Sequence, residues 1–353
     1  MSAAEATPHS VRGWAASVFE KAGGTAALRA LADHYALRRG GIFPRLRHRA
    51  SRPFQILMYH RIQEASRPFS IDTLPIDRFE EHIRHLSRRY RVLPLTELVR
   101  QARERSLPPR SVAITFDDGY RDNFTHAWPI LRRFGVPATI FLATGFIGSG
   151  SALWHDQVLH AFAHSRRDRY PDPWTDETVT LHGAQEGERA AHAVLARLKR
   201  LPGSQRELEI ARLFETLRVD RREVSSDLML EWGEVRTMAS SGIEFGSHTV
   251  NHPILSLESR DVVAFELAES KRTLERELDR EATLFAYPNG GVADYTPETI
   301  RLVRAAGYDC ALTTRFGTNE AGDDPYEWKR GTPWEEERSV FSLKLALYRA
   351  LES

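Results

Sequence analysis

Two adjacent carboxylates, Asp117 and Asp118, stand in the stretch "AITFDDGYRDN", residues 113–123, where an apolar run ends. Like charges that close repel each other, and partial burial raises the cost of ionising both. A cation is expected nearby. The stretch "FGSHTVNHP" offers a way to hold one, because His248 and His252 lie four residues apart, a spacing that brings both imidazoles to one side of a helical turn. Two histidines and a carboxylate suit Zn²⁺ and its first-row neighbours. An isolated H-x-x-x-H occurs by chance on many helices. Here both pairs fall just after predicted strands, where a barrel brings separate loops together, and jointly they point to a metal site.

The elements that would position these residues are legible along the chain. "FQILMYH", "SVAITF", "PATIFLATGFIG", "IEFGSHT", "LFAYPNGG" and "CALTTRFG" read as strands ending in polar or glycine-bearing loops. Between them "DRFEEHIRHLSRRY" reads as a helix with Phe79, Ile83 and Leu86 on one face, and "AWPILRRFG" as a helix stopped by Gly135. "RDVVAFELAESKRTLERELD" and "PETIRLVRAAGY" are further helices. This alternation predicts an α/β fold, a distorted (β/α)7 barrel over residues 53–335, with function at the carboxyl ends of the strands. Residues of about 151–235 break the rhythm and read as a helical insertion rather than a second domain. The insertion opens with "LWHDQVLHAFAH", so Trp154, His155 and Asp156 lie within reach of the barrel mouth. The plainer reading of His155, His160 and His164 is a helix with partly exposed histidines. Residues 1–52 are expected to form a helical, basic arm and 336–353 a C-terminal helix.

Composition narrows the chemistry. The 353 residues are 41% hydrophobic and 27% charged, enough apolar material for one large core or two moderate ones. Forty-nine Lys and Arg against forty-eight Asp and Glu leave no global basic field, which argues against nucleic acid as a partner. The lone Cys310 excludes a disulfide framework and a cysteine-rich zinc site, so histidine and carboxylate must hold any metal. The opening residues carry no apolar run of secretory type and no segment approaches bilayer length, so a cytoplasmic location is expected. The arginine-rich stretch "ALRRGGIFPRLRHRASR" is a solvated arm or, alternatively, a peripheral contact with the inner membrane surface.

"TFDDGY" followed at a distance by "SHTVNHP" resembles the polysaccharide deacetylases of carbohydrate esterase family 4, the NodB-homology domain, over residues 53 to roughly 333. The resemblance implies Asp118, His248 and His252 as ligands of a divalent metal, most simply Zn²⁺, and Asp117 as catalytic base. Three protein ligands leave a coordination position open, and such a metal acidifies water to a pKa of about 7. The resemblance also implies that the backbone amide of Tyr120 stabilises the oxyanion, with Gly119 permitting close backbone approach.

A general acid is needed because an amine leaves poorly unprotonated. Most family members supply a histidine from a strand I-x-L-x-H near the carboxyl end. No histidine follows His252 here, but "ILMYH" places Ile56, Met58 and His60 in that register at the amino-terminal end. This resembles the circularly permuted branch that includes deacetylases of poly-N-acetylglucosamine exopolysaccharides, and it implies His60 as the acid, facing Asp117 across the substrate. A closed barrel tolerates the shift because its first and last strands are neighbours.

One departure stands out. Many relatives carry R-x-P-Y-G, whose arginine orients the base, whereas the matching text here is "AYPNG" with Ala286 in the arginine position. Tyr287, Pro288, Asn289 and Trp154 are expected to line the substrate site. Arg121, Arg315 and Arg330 lie near predicted loop ends and are candidates to hold Asp117, each more simply read as a solvated surface arginine. The implied activity is metal-dependent removal of N-acetyl groups from amino sugars of a polysaccharide or lipid-linked glycan. A hydrolase of small non-sugar amides and a non-catalytic carbohydrate-binding barrel are the alternatives.

Overall fold

The computed structural model describes residues 53–64, 68–175, 177–224, 227–333, 340–342 and 344–345. The basic arm of residues 1–52, and with it the expected membrane contact, lies outside the described residues. Of the expected C-terminal helix, residues 340–342 and 344–345 are described and are helical. Among the described residues no helix is long and apolar enough to cross a membrane.

Seven strands run in chain order around a nearly closed barrel: β1 (Gln55–Tyr59), β2 (Ser111–Phe116), β3 (Thr139–Leu142), β4 (Glu244–Ser247), β5 (Leu284–Ala286), β6 (Cys310–Phe316) and β7 (Trp328–Arg330). Every neighbouring pair is parallel. The ring is brought round by Gly331, directly after β7, whose N–H donates to Ile56 O (2.8 Å) and whose carbonyl accepts from Met58 N–H (2.9 Å). A short strand, Arg91–Val92, adds to β2. All seven carboxyl ends therefore open on one side, the arrangement that gathers loop residues from distant parts of the chain.

The connecting helices follow the apolar periodicity. α1 (Ile76–Arg89) buries Phe79, His82, Ile83 and Leu86 on one stripe, and each apolar member contributes roughly 1.5–3 kcal/mol by leaving water. α2 (Leu95–Arg103) lies across the amino-terminal end of the barrel. Its first amide, Leu95 N–H, donates to Oε2 of Glu244 at the start of β4 (2.7 Å), and Arg103 near its end pairs with Asp309 just before β6 (2.6 Å). α3 (Trp128–Phe134) stops at Gly135, which takes φ 61°. Leu98, Val99 and Ala102 of α2 close the interior cluster made by Phe54, Ile56, Ala113, Phe141, Leu284, Leu312 and Trp328.

Between β3 and α7 (Trp232–Ser240) the chain builds the insertion: α4 (Trp154–Ala163), α5 (Ala184–Leu198) and α6 (Gly203–Leu217), with a hairpin of Arg169–Pro171 and Thr178–Thr180 that the sequence reading did not contain. Its helices share a hydrophobic cluster of their own around Val158, Phe162, Val194, Leu198, Ile210 and Phe214. α8 (Arg260–Leu278), capped by the Ser259 hydroxyl, and α9 (Pro297–Ala305), opened by Thr296 and Pro297, cover β4 to β6 from outside.

The barrel is narrow at Gly246. A Cβ there would stand 2.5 Å from the Phe141 ring and 2.9 Å from Leu284 O, so one methyl has nowhere to go. Gly246→Ala is expected to cost roughly 1–3 kcal/mol or more by overpacking, seen as a lower urea midpoint at unchanged m-value.

Candidate active site

Asp117 and Asp118 directly follow β2, and the chain must turn sharply to carry both. Asp118 takes φ 76° and Gly119 φ 87°, and a Cβ on Gly119 would stand 2.8 Å from Leu142 and 2.9 Å from Ile147. Left-handed backbone at a non-glycine residue costs energy and persists where the surroundings enforce it. Thr249 (φ 69°), His252 (φ 52°) and Asn289 (φ 59°) share the feature at the same end of the barrel.

The two carboxylates, both buried, meet different partners. Asp117 receives a two-pronged hydrogen bond from Arg330: Nη1 to Oδ1 and Nη2 to Oδ2, each 2.7 Å. Arg330 is wholly buried at the end of β7, its Nε–H donates to Thr313 O (2.8 Å), and Nη1 also reaches Thr115 Oγ1 (3.3 Å). This corrects the surface reading of Arg330. It takes the part of the arginine missing at Ala286, from a strand on the other side of β6. Arg121 and Arg315 stay half-exposed and pair elsewhere, with Glu234 and Glu327. Burial acts to raise the Asp117 carboxyl, and the charge and hydrogen bonds of Arg330 outweigh it and hold the group below the usual carboxylate range.

Asp118 faces two imidazoles. Its Oδ1 lies 3.5 Å from His248 Nε2 and 3.3 Å from His252 Nε2. His248 Nδ1 must carry a proton, since its partner at 2.8 Å is the carbonyl of Ala286, and burial pushes this ring down to about 4, so it is neutral. Its Nε2 lone pair is thus aimed at a carboxylate oxygen with no proton between them. Asp118 Oδ1 is buried and has no hydrogen-bond partner. Two imidazoles, one with its lone pair aimed inward, and an anion converging within 4.8 Å fit a divalent cation. The loop carrying His252 is fixed by Glu266 of α8, which accepts from Val250 N–H (2.7 Å), Asn251 N–H (2.9 Å) and Asn251 Nδ2 (2.7 Å). This buried carboxylate, inside a helix of otherwise ordinary surface charge, gave no signal in the sequence.

His60 follows β1 and reaches the same place, its carbonyl held by Asn123 Nδ2 (2.8 Å). Its Nε2 stands 3.9 Å from Asp117 Oδ2. The two side chains are thus neighbours lining one cavity. Tyr120 is paired with Met229 across an isolated antiparallel bridge, flanked by Arg121 N–H to Leu228 O (2.9 Å) and Leu230 N–H to Gly119 O (3.0 Å). At such a position the Tyr120 N–H points away from its bridge partner, free for another acceptor.

These groups line a cavity of about 660 Å³ that also takes in Met58, Trp154, Asn289 and Thr314. Tyr287 and Pro288 do not line it: Tyr287 turns into the core, stacked on Tyr295 with ring centres 4.5 Å apart. The far wall comes from segments to which the sequence reading assigned no site role, Ile71 and Asp72 after β1 and His192, Leu195 and Lys199 of or next to α5. His155 is buried, against the expectation of an exposed helix histidine, and so lies among the site residues.

Comparisons with known proteins agree with this geometry. The polysaccharide deacetylase family profile matches residues 104–311. YxkH of Bacillus subtilis (strain 168), which bears the same family name, is 24% identical over 277 residues, 78% of this chain and 69% of its own. The poly-beta-1,6-N-acetyl-D-glucosamine N-deacetylase of Staphylococcus aureus (strain MSSA476) is 31% identical over 105 residues, 26% of this chain and 36% of that protein, so the chain spans little more than a third of that relative. The solved structure of IcaB from Ammonifex degensii shares the fold, with a TM-score of 0.55 at 20% identity over 84% of this chain and 97% of that one.

Two outcomes test the site. Removing Arg330 leaves a buried carboxylate unpaired, so Arg330→Ala is expected to lose about 3–5 kcal/mol of stability at neutral pH by urea unfolding. Because the folded-state pKa of Asp117 is depressed, its stabilising contribution is present above the ordinary carboxylate range and is lost as pH falls. The gap between Arg330→Ala and the parent should therefore narrow on acidification. His248→Ala and His252→Ala should each lose bound metal by elemental analysis after dialysis against zinc; stoichiometric retention by the double variant removes the cluster as a metal site. By its matched sequence and its barrel, the chain belongs to the polysaccharide deacetylase family.

Proposed function

We propose that this protein is a metal-dependent hydrolase that removes N-acetyl groups from amino sugars of a polysaccharide or a lipid-linked glycan, with Zn²⁺ as the metal. The observation that carries the reading is the division of labour between two adjacent buried carboxylates: Asp117 saturated by Arg330, and Asp118 left bare beside two imidazoles. Membership of the deacetylase family and the named activity of the Staphylococcus aureus relatives support the choice of substrate.

A divalent cation on Asp118, His248 and His252 supplies Lewis-acid chemistry, polarising the amide carbonyl and acidifying water. The remaining work falls to the chain. Asp117, held ionised and in one orientation by Arg330, accepts the proton of the attacking water. The Tyr120 N–H donates to the oxygen that becomes negative as the carbonyl carbon turns tetrahedral. His60, beside Asp117 and open to the cavity, donates a proton to the nitrogen as the C–N bond breaks, releasing the free amine and acetate. The cytoplasmic location and the lipid-linked form of the glycan belong to the same proposal.

The deciding experiment incubates the purified chain with N-acetylglucosamine oligomers and with small amides, with and without added zinc, and measures acetate or other released acid. Acetate from the sugars alone, and only with metal, is the expected result; turnover confined to small amides replaces the substrate class, and none with either leaves a binding barrel. Asp117→Asn should abolish most turnover with metal content intact. His60→Ala should cost about 10²–10⁴ in kcat, the usual worth of a placed acid, and much less on an activated aryl acetate whose leaving group needs no proton. Equal losses on amide and ester would make His60 structural.

A further inference from the structure

Behind the metal cluster lies a buried polar network that the mechanism above does not use. His155 and Asp156 occupy the first turn of α4, the opening helix of the insertion, and both are buried. Their side chains converge on one atom, the Tyr120 hydroxyl: His155 Nε2 is 2.8 Å from it and Asp156 Oδ2 3.0 Å. The Arg61 guanidinium covers the Tyr120 ring at 4.6 Å and is itself held by Asp122 at 3.0 Å. His155 lines the cavity, and its ring lies edge-on to the ligand His252, centres 5.7 Å apart.

A histidine, an aspartate and a tyrosine hydroxyl are expensive to bury, and a helix that only had to dock would present apolar residues there. Their geometry also fixes protons. Tyrosine has one O–H, and an ionised Asp156 can only accept it. The contact with His155 must then run the other way, with His155 Nε2–H donating to the Tyr120 oxygen. A neutral ring so engaged keeps a bare Nδ1, an acceptor for a hydroxyl or amide N–H.

We propose that His155 is a substrate-contacting residue of the cavity, accepting a hydrogen bond from the bound acetylated amino sugar, and that Tyr120 and Asp156 are the positioning residues that set its ring and tautomer. The substrate half of this rests on the function proposed above; the tautomer half does not. The insertion is thereby part of the active site rather than an ornament of the barrel. Its first turn supplies a contact to the sugar, and locks to the residue whose backbone serves the oxyanion.

Two measurements on the full chain decide it. Long-range proton–nitrogen NMR of the zinc-loaded protein at a pH well above neutral, with His155 assigned by its loss in His155→Gln, should show the Nε2–H tautomer. Tyr120→Phe, which removes the oxygen that His155 Nε2 faces, should abolish that signature while the other histidine signals stay in place. An Nδ1–H tautomer in the parent, or a signature unchanged in Tyr120→Phe, overturns the network. In acetate release from N-acetylglucosamine oligomers, His155→Gln, Tyr120→Phe and Asp156→Asn should each lose about ten- to a hundredfold in kcat/KM, the scale of one oriented polar contact, with metal content unchanged. The double variant Tyr120→Phe, Asp156→Asn should fall no further than the worse single one, because the residues act through one atom. Parent-like kcat/KM in His155→Gln, or loss of activity that tracks loss of metal, removes the substrate contact. A parent that releases no acetate from any glycan defeats the function instead, and the NMR measurement still decides whether the network exists.

Discussion

Two carboxylates placed side by side inside a protein must each find positive charge, and this molecule is organised around that demand. Asp117 and Asp118 share one buried turn, where neither can rely on water for screening. Arg330 answers the first with two parallel hydrogen bonds, a geometry matched to the planar guanidinium and not to lysine. The histidines answer the second only in part, because His248 spends its proton on Ala286 O. What is left at Asp118 is a concentration of lone pairs that a divalent cation satisfies. The same local pair thus yields one carboxylate held fixed and ionised by a guanidinium and one left open to a cation.

The barrel makes the solution possible. Arg330 ends β7, Asp117 follows β2, and His60 follows β1, and these strands are neighbours because the ring brings β7 round to β1 through Gly331. An arginine more than two hundred residues away in sequence therefore reaches Asp117. The vacated Ala286 still serves through its backbone, which orients His248.

Around this centre the enclosure is assembled from text that lies outside the barrel rhythm. The segment after β1 and the helices of the insertion give the cavity its far wall, tied together by Phe69 N–H donating to Glu188 of α5 (3.2 Å). Glu266 secures the histidine loop from the outer helix, and Asn123 holds the backbone of His60. Each of these residues acts on the site through another group, and each comes from an element whose own reason for folding is apolar burial.

How much was legible in the sequence depended on whether the signal was local. The strands, the helices of the barrel, the insertion, the paired aspartates and the H-x-x-x-H spacing are properties of short windows, so the (β/α)7 architecture and the convergence of Asp117, Asp118, His248 and His252 could be read from them, while His60 was pointed to by the family resemblance of "ILMYH". Arg330 had a faint local sign, since Trp328 and Arg330 alternate with exposed-leaning Lys329 in a short strand and share its buried face. A charged residue at an inward position nevertheless reads as surface until its partner is known. His155 and Tyr287 misled in opposite directions for the same reason: a histidine-bearing helix is usually solvated and a loop tyrosine is usually available, but burial is set by what packs on them from elsewhere. Chain periodicity determines which residues sit at the ends of strands. Only the closed ring determines which of those ends touch, and so which arginine meets the base.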